Sequence, residues 1–370
     1  MAKSHKAAFY PVILAGGRGT RFWPLSRRRM AKQLLPLNSK KSMIQETVER
    51  LSPLAKTKQF WVVTNGDLRH AIVRQLKELR GKQILAEPIG RNTAPAIGLA
   101  AFLLARHDPG AVIGMFPSDH VIFNQKRFRK DIEQAAVVAA AGENIVAIGI
   151  PPTRAETGYG YIEAGAKSPN GALQVRRFTE KPSTDVAARF VTAGNYFWNS
   201  GMFVWSARTL ARALAEHLPK TAALLKRIAE TYGTPKFDKT FVNLYPQCEN
   251  ISIDYAVLEP RSAKGEGASG IYCIPASFGW NDLGSWTALY EHRSAGGADG
   301  KNIIDAHKYF ALNATGNFVH SKQKFVAVVG VANLVVVETG DALLITTREH
   351  AQDVGKVVKH LDDEKLERLI

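Results

Sequence analysis

At 370 residues, with a formal charge of +16, 45% apolar residues and two cysteines, the chain exceeds what one hydrophobic core accommodates, so a large domain with a smaller companion is expected. No uninterrupted apolar run approaches the roughly 18 residues that span a bilayer, and Cys248 and Cys273, with no CxxC and no histidine at zinc spacing, exclude a disulfide scaffold or a metal finger. The charge alone would suit nucleic acid, but Arg18, Arg21, Arg27, Arg28, Arg29 and Lys32 gather beside one glycine-rich loop. No RNA-recognition aromatic motif, GXXG clamp or zinc finger accompanies them, which favours the phosphates of a small molecule.

The N-terminal string MAKSHKAAFYPVILAGG sets two lysines ahead of an apolar stretch, as an export signal does. That stretch is short and Pro11 interrupts it, so its β-branched end reads as a first core strand and cytoplasmic residence is expected. Phe9 to Ala15 is that strand, and a long loop follows. Ser42, with Gln45 three residues on, forms a capping box for a helix whose Ile44, Thr47, Val48 and Leu51 share a face. Gln59 to Asn65 is a second strand, the helix from Asp67 carries Leu68, Ile72, Leu76 and Leu79 at helical spacing, and Gln83 to Glu87 is a third strand. An Ala- and Leu-rich helix from Thr93 to Arg106, a strand from Ala111 to Phe116, a helix ending at Ala141 and a strand from Asn144 to Ile150 follow. Five strands with helical crossovers are the signature of a parallel sheet flanked by helices.

From residue 156 to 290 the pattern is mixed, with short strands rich in Gly and aromatics and one plain helix around Ser206 to Tyr232. The polar stretch HRSAGGADGKN from His292 is the expected boundary, dividing the chain into 1–292 and 300–370. Beyond it the β-branched runs FVAVV, NLVVVE and ALLITT alternate with the turn signals NATGN and ETGD, and a final helix aligns Val354, Val357, Val358 and Leu361.

The strongest chemical feature is Leu14-Ala15-Gly16-Gly17-Arg18-Gly19-Thr20-Arg21, straight after the first strand. Glycines let backbone N–H groups approach a phosphate or base, and the arginines add charge and forked donors. It is neither a P-loop nor a GxGxxG fingerprint, since no GK[ST] follows and the glycines are differently placed. With its continuation, AGGRGTRFWPLSRRRMAKQLLPL, the loop resembles the signature of the sugar-nucleotide pyrophosphorylases, and its details are similar to the bacterial mannose-1-phosphate guanylyltransferase (GDP-mannose pyrophosphorylase) family. The motifs AEPIGRNTAPAIGLAA, FPSDH, ETGYGYIE, RFTEKP, YFWNSGMFVW, SIDYAVLE and SFGWNDLGSW follow in family order.

This resemblance implies an α/β fold of the nucleotide-diphospho-sugar transferase type, a Rossmann-like mixed sheet flanked by helices. It also implies a small C-terminal β-rich domain like a short left-handed β-helix, a terminal helix, and a homodimer. The implied substrates are GTP and α-D-mannose 1-phosphate and the products GDP-mannose and diphosphate, by Mg²⁺-dependent in-line attack of the sugar phosphate on the α-phosphorus. Nucleotide contacts are implied at Leu14, Ala15, Gly16, Gly17, Gly19, Thr20, Arg21, Glu87, Pro88, Asn92, Thr93 and Ser118, the segment from Glu87 to Thr93 selecting guanine. Arg18, Lys32 and Lys181 are the implied catalytic cations. Sugar contacts are implied at Gly158, Tyr159, Gly160, Glu180, Asn199 and Asp254, and Asp119 and Asp282 are the implied ligands of one or two Mg²⁺ ions.

Independently of any family, Gly16 and Asp119 fall just past the carboxyl ends of expected strands, where open α/β sheets bind ligands. A sugar phosphate is already an anionic nucleophile, so positioning and charge stabilisation suffice without a general base. As bare sequence, Asp119 and Asp282 also fit turn aspartates, Thr93 a helix N-cap, His120 a structural hydrogen-bonder, and Tyr161, Trp198 and Trp286 packing aromatics. Arg27, Arg28 and Arg29 read best as solvated surface charges.

Two positions depart from the family pattern: Ala31 stands where proline usually precedes the lysine, predicting a looser loop, and Pro260 stands where lysine is common. Another sugar 1-phosphate or nucleoside triphosphate is the nearest rival reading, disfavoured by EPIGRNTAP and WNSGMF. A glycosyltransferase would commonly carry an Asp-x-Asp motif, which this sequence lacks. A non-catalytic nucleotide-binding regulatory homologue would be expected to have lost Arg18, Lys32, Asp119, Lys181 or Asp282. A nucleic-acid partner rests on net charge alone and is not expected.

Overall fold

A computed structural model describes residues 7–294 and 300–370. Its elements are β1 (Phe9–Leu14), α1 (Met43–Leu51), β2 (Trp61–Asn65), α2 (Gly66–Gln75), β3 (Ile84–Glu87), α3 (Thr93–His107), β4 (Val112–Pro117), β5 (Val121–Ile122), α4 (Gln125–Ala140) and β6 (Ile145–Ile150). There follow β7 (Tyr161–Lys167), β8 (Leu173–Thr179), α5 (Thr184–Ala193), β9 (Tyr196–Ser206), α6 (Ala207–His217), α7 (Pro219–Thr231), α8 (Phe237–Leu244), α9 (Glu259–Ser262), β10 (Ile271–Pro275), β11 (Trp280–Asn281) and α10 (Trp286–Ser294). The tail holds β12 (Ile303–Leu312), β13 (Phe318–Val329), β14 (Leu334–Glu338), β15 (Leu343–Thr347) and α11 (Val354–Asp363).

Among the described residues, nine strands form one sheet in the order β3-β2-β1-β4-β9-β6-β10-β8-β7. β1 pairs in parallel with both β2 and β4, and its apolar run is covered on both faces, as central parallel strands require. The sheet is mixed because β9 enters antiparallel between β4 and β6, with Val204 opposite Gly114 on one side and Val146 on the other. Helices α3, α6 and α7 bury Leu99, Leu210, Leu214 and Leu225 on one face of the sheet. On the other, α1, α2 and α4 bury Ile44, Ile72, Phe128 and Ile132.

The single helix expected around Ser206 to Tyr232 is two. Pro219 has no N–H to donate and its ring crowds the preceding turn, so it sits in the first turn of α7 and ends α6 before it. The expected linker also shifts: α10 continues through Ser294, so His292 to Ser294 are helical. The rest of that linker, 295–299, and the lysine-bearing start of the chain, 1–6, lie outside the described residues.

In the tail β12, β13 and β14 stack in parallel, and buried Asn317 turns the corner between coils, donating to Asn302 Oδ1 and accepting from Leu334 N. This β-rich unit shares a third core with the loop after β1, in which Phe22, Trp23, Trp286, Phe318, Val335 and Val358 are buried together. Arg27 donates to Leu369 O at 2.6 Å and pairs with Asp341 at 2.8 Å, while Arg28 pairs with Asp362 at 3.6 Å. Arg27 and Arg28 are therefore ties to the tail rather than solvated charges, because the folded tail brings carboxylates and an uncapped carbonyl to them; Arg29 stays exposed. Arg27→Ala is expected to lower stability by about 1.5–3 kcal/mol, the range for hydrogen bonds involving a charged group. Urea denaturation with an unchanged slope reads this out, and an unaltered midpoint would make the tie dispensable.

Candidate active site

The loop after β1 emerges at the carboxyl end of the parallel strands and is tied down through its carbonyls. Ala15 O accepts from Thr64 Oγ1 (2.9 Å) and Gln33 Nε2 (3.0 Å), Gly16 O from Asn65 Nδ2 (3.1 Å), and Gly17 O from Gln33 Nε2 (3.1 Å). Leu14 O accepts from Ser118 N at 3.1 Å, joining this loop to the end of β4. Gly16, Gly17 and Arg18 remain exposed. Gly19 has φ +61°, and a Cβ there would lie 2.4 Å from Lys32 Cβ and 2.9 Å from Lys32 N, so only glycine lets the loop rest on the Lys32 turn.

Lys32 is buried, and its ammonium donates to Asp119 Oδ2 at 2.8 Å and to Asp282 O at 2.5 Å. An ammonium has three donors, so one is left over. Burial is the largest influence and pushes the Asp119 carboxyl up, but the Lys32 charge and hydrogen bond, the His120 ring and a backbone N–H together outweigh it and the net direction is down. His120 Nδ1 accepts from Trp280 Nε1 at 3.1 Å, which puts the ring proton on Nε2. Burial lowers His120 to about 4, so it is a neutral structural acceptor near pH 7. Asp282 Oδ1 accepts from Tyr159 OH at 2.8 Å, and Tyr159 is raised by burial and then by that carboxylate. Ala31 holds φ −71°, which proline would also hold, and Pro260 follows directly on the π-helical turn Asp254–Leu258, at the start of α9.

The two carboxylates fit Mg²⁺ by their donor chemistry. Asp119 has Oδ2 engaged by Lys32 and Asp282 has Oδ1 engaged by Tyr159, so each keeps a second oxygen outside these contacts. Mg²⁺ takes one or two carboxylates and completes its octahedron with phosphate oxygens and water.

Glu87, at the end of β3, is buried, and its Oε1 accepts from Tyr245 OH at 2.5 Å. Burial raises it to about 7 against the hydrogen bonds from Tyr245 and Arg91 N–H. Its Oε2 lies 3.6 Å from where a Gly16 Cβ would stand. Pro88 is exposed beyond it. The N-cap of α3 is Asn92, whose Oδ1 accepts from Thr93 N, so Thr93 does not cap; its hydroxyl instead accepts from Ile253 N at 2.9 Å. Asn92 does this at φ +63° and ψ −168°, a strained backbone conformation for a residue that carries a Cβ.

On the other side, Gly160 lets Glu180 approach so closely that a Cβ would lie 2.4 Å from Glu180 Oε2. That oxygen is buried without a partner, an acceptor suited to a hydroxyl donor. Burial, then Asp254, raises Glu180 to about 7, with Lys181 Nζ 3.4 Å away opposing. Asn199 Nδ2 donates to Asp254 Oδ1 at 2.9 Å, and burial raises Asp254. Gly158 is exposed and its N–H donates to Glu156.

These contacts close into a ring. Glu87 meets Gly16, Gly19 rests on Lys32, and Lys32 joins Asp119 to Asp282. Asp282 holds Tyr159, Gly160 adjoins Glu180 and Asn199, and Asn199 holds Asp254, whose neighbour Ile253 returns to Thr93. Thr20 and Arg21 turn elsewhere: Thr20 Oγ1 faces Gly355 in α11, and Arg21 donates to Gln352 at 2.8 Å. Gln33, Thr64, Asn65, Tyr245 and Trp280 were not singled out by sequence. The position of Thr64 and Asn65 at a strand's carboxyl end was a usable signal, and Gln33 and Trp280 lie inside the motifs AKQLLPL and SFGWNDLGSW; Tyr245 carried none.

The model of the family described as nucleotidyl transferase matches residues 10–296, and that of the MannoseP isomerase/GMP-like beta-helix domain matches residues 307–361. The mannose-1-phosphate guanylyltransferase of Salmonella typhimurium is 38% identical over 96% of this chain and 72% of its own length. The alginate biosynthesis protein of Pseudomonas aeruginosa is 38% identical over 95% of the chain and 72% of its own length. Among solved structures, the Thermus thermophilus protein described as mannose-1-phosphate geranyltransferase superposes with a TM-score of 0.84 at 31% identity, covering 96% of this chain and 99% of that one.

Proposed function

The chain belongs to the nucleotidyl transferase family, and from that membership we infer that it is an enzyme transferring GMP from GTP to α-D-mannose 1-phosphate, with diphosphate released. The observation that carries this reading is the Lys32 ammonium bridging Asp119 and Asp282 beneath a glycine loop, with a buried carboxylate for a base on one side and the unpartnered Glu180 Oε2 as an acceptor for a hydroxyl on the other. The 38% identity to a mannose-1-phosphate guanylyltransferase over 96% of the chain supports the same pair of substrates.

In this reading Leu14 to Gly19 and Ser118 cradle the triphosphate, and Arg18 together with the free donor of Lys32 stabilises the departing diphosphate. Glu87, with Pro88, Asn92 and Thr93 shaping the pocket, accepts from the guanine edge; adenine would leave that buried carboxylate unpaired, a discrimination of about 10² or more. Gly158, Tyr159, Gly160, Glu180, Asn199 and Asp254 hold the sugar, and Lys181 grips its phosphate for in-line attack on the α-phosphorus. Asp119 and Asp282 would hold Mg²⁺, which when bound neutralises phosphate charge. Arg21 acts through the tail, not the nucleotide.

The reading includes a homodimer, supported by exposed apolar side chains on the tail strands: Tyr309, Phe310, Leu312, Phe325 and Ile345. It also includes cytoplasmic residence, where GTP is available. The test is diphosphate release with Mg²⁺ from every pairing of GTP, ATP, UTP and dTTP with mannose 1-phosphate and glucose 1-phosphate. Chelator-sensitive release is expected to be strongest for GTP with mannose 1-phosphate. Preference for another pair would overturn the base or sugar assignment, and no release from any pair would overturn the enzyme.

A further inference from the structure

The segment from Tyr245 to Asp254 is lashed along the base-binding side of the cleft at four points. Tyr245 OH donates to Glu87 Oε1, the Arg91 guanidinium donates to Pro246 O, Ala94 N donates to Ile251 O at 3.1 Å, and Ile253 N donates to Thr93 Oγ1 at 2.9 Å. At its far end Asp254 holds Asn199. Tyr245 is 0% exposed and its ring packs edge-on against Phe241 at 5.1 Å, so the hydroxyl has one place to go.

We propose that Tyr245 is a positioning residue for base selection: its hydroxyl occupies Glu87 Oε1 and thereby turns Oε2 toward Gly16 as the acceptor for the guanine edge. This rests on the reading of Glu87 as the guanine contact and adds the group that aims it. A carboxylate on a flexible side chain loses rotamer freedom on binding, and a hydrogen bond already made in the free protein removes that cost beforehand. The same bond favours the ionised form, which alone accepts from two N–H donors. Burial raises Glu87 to about 7, and the groups facing it are the Tyr245 hydroxyl and Arg91 N–H, with the Arg91 guanidinium and the Cys248 thiol beyond the phenol. Loss of the phenol hydroxyl moves Glu87 higher, so the carboxylate is more protonated at pH 7 and recovers as pH rises.

The experiment is steady-state kinetics of Tyr245→Phe, Glu87→Gln and the double variant against wild type, from about pH 6 to 9. Tyr245→Phe removes only a hydroxyl, and it is expected to raise KM for GTP about tenfold at pH 7 while kcat stays within about twofold. The ratio of variant to wild-type KM cancels the titration of GTP itself, and it should shrink toward high pH. In the Glu87→Gln background Tyr245→Phe should add nothing further. A KM ratio constant with pH, a loss confined to kcat, or additive effects in the double variant would each overturn the positioning role. If Glu87→Gln weakens GTP but Tyr245→Phe matches wild type, only that role fails. If Glu87→Gln itself keeps wild-type KM and discrimination against ATP, the guanine reading fails first.

Discussion

Asp119→Asn is expected to reduce diphosphate release by about 10³-fold, with Lys32→Met comparable, the loss seen when a preorganised charged group is removed from a reacting centre. The two residues act as one unit. Lys32 is almost fully enclosed, and its charge is balanced by the Asp119 carboxylate at 2.8 Å, with Asp282 O as a second acceptor at its ammonium. Asparagine keeps the shape but leaves the ammonium unbalanced, and it removes one of two proposed Mg²⁺ ligands. Asp119 is one-third exposed on its side chain, so solvent screens part of the charge and the stability cost is about 1–3 kcal/mol rather than that of a fully buried pair. The double variant Lys32→Met with Asp119→Asn should recover much of that stability and none of the activity. Thermal melts alongside single-turnover kinetics separate the two effects; turnover at the wild-type rate in either single variant would falsify the shared phosphate and metal role.

Gly19→Ala is expected to cost about 10²-fold in kcat/KM together with a measurable drop in melting temperature. Two strains add: φ +61° is disfavoured for alanine by roughly 1–2 kcal/mol, and the new Cβ would overlap Lys32 at both Cβ and N. The overlap with backbone N cannot be relieved by rotating a side chain, so the Lys32 turn or the glycine loop has to move, and a displacement of about 1 Å near reacting groups costs about 10²-fold. Gly17→Ala is the internal comparison, since a Cβ there meets nothing within 4 Å. It should melt like wild type. Equal melting temperatures and equal kinetics for both variants would show that the contact between Gly19 and Lys32 is not required.

Much of the frame was legible because its signals are local. The capping box at Ser42 and Gln45 forms, with Ser42 N donating to Gln45 Oε1 at 3.0 Å, and α11 buries Val354, Val358 and Leu361 as their spacing requires. Pro219 is the instructive miss. An apolar helical period runs through it, so periodicity alone reads one helix, while the missing N–H makes two. The cations near the glycine loop were legible as a cluster and not as individuals. Lys32 goes inward to Asp119, whereas Arg21, Arg27 and Arg28 go to the tail, and neighbouring positions of the same charge give no local cue to that division.

By itself the sequence determined the strand-and-helix alternation, the glycine loop after the first strand, and the ordered motifs that name the family. Each depends on periodicities, backbone φ limits and short strings that a few adjacent residues carry. Only the tertiary structure decided that β9 enters antiparallel beside β4, that the tail shares a core with the loop, and that Tyr245 reaches Glu87 158 residues away. The physical reason is that such contacts are selected by the burial of whole faces and by which polar groups still need a partner once water is excluded. Sequence spacing does not encode the distance between groups brought together in that way.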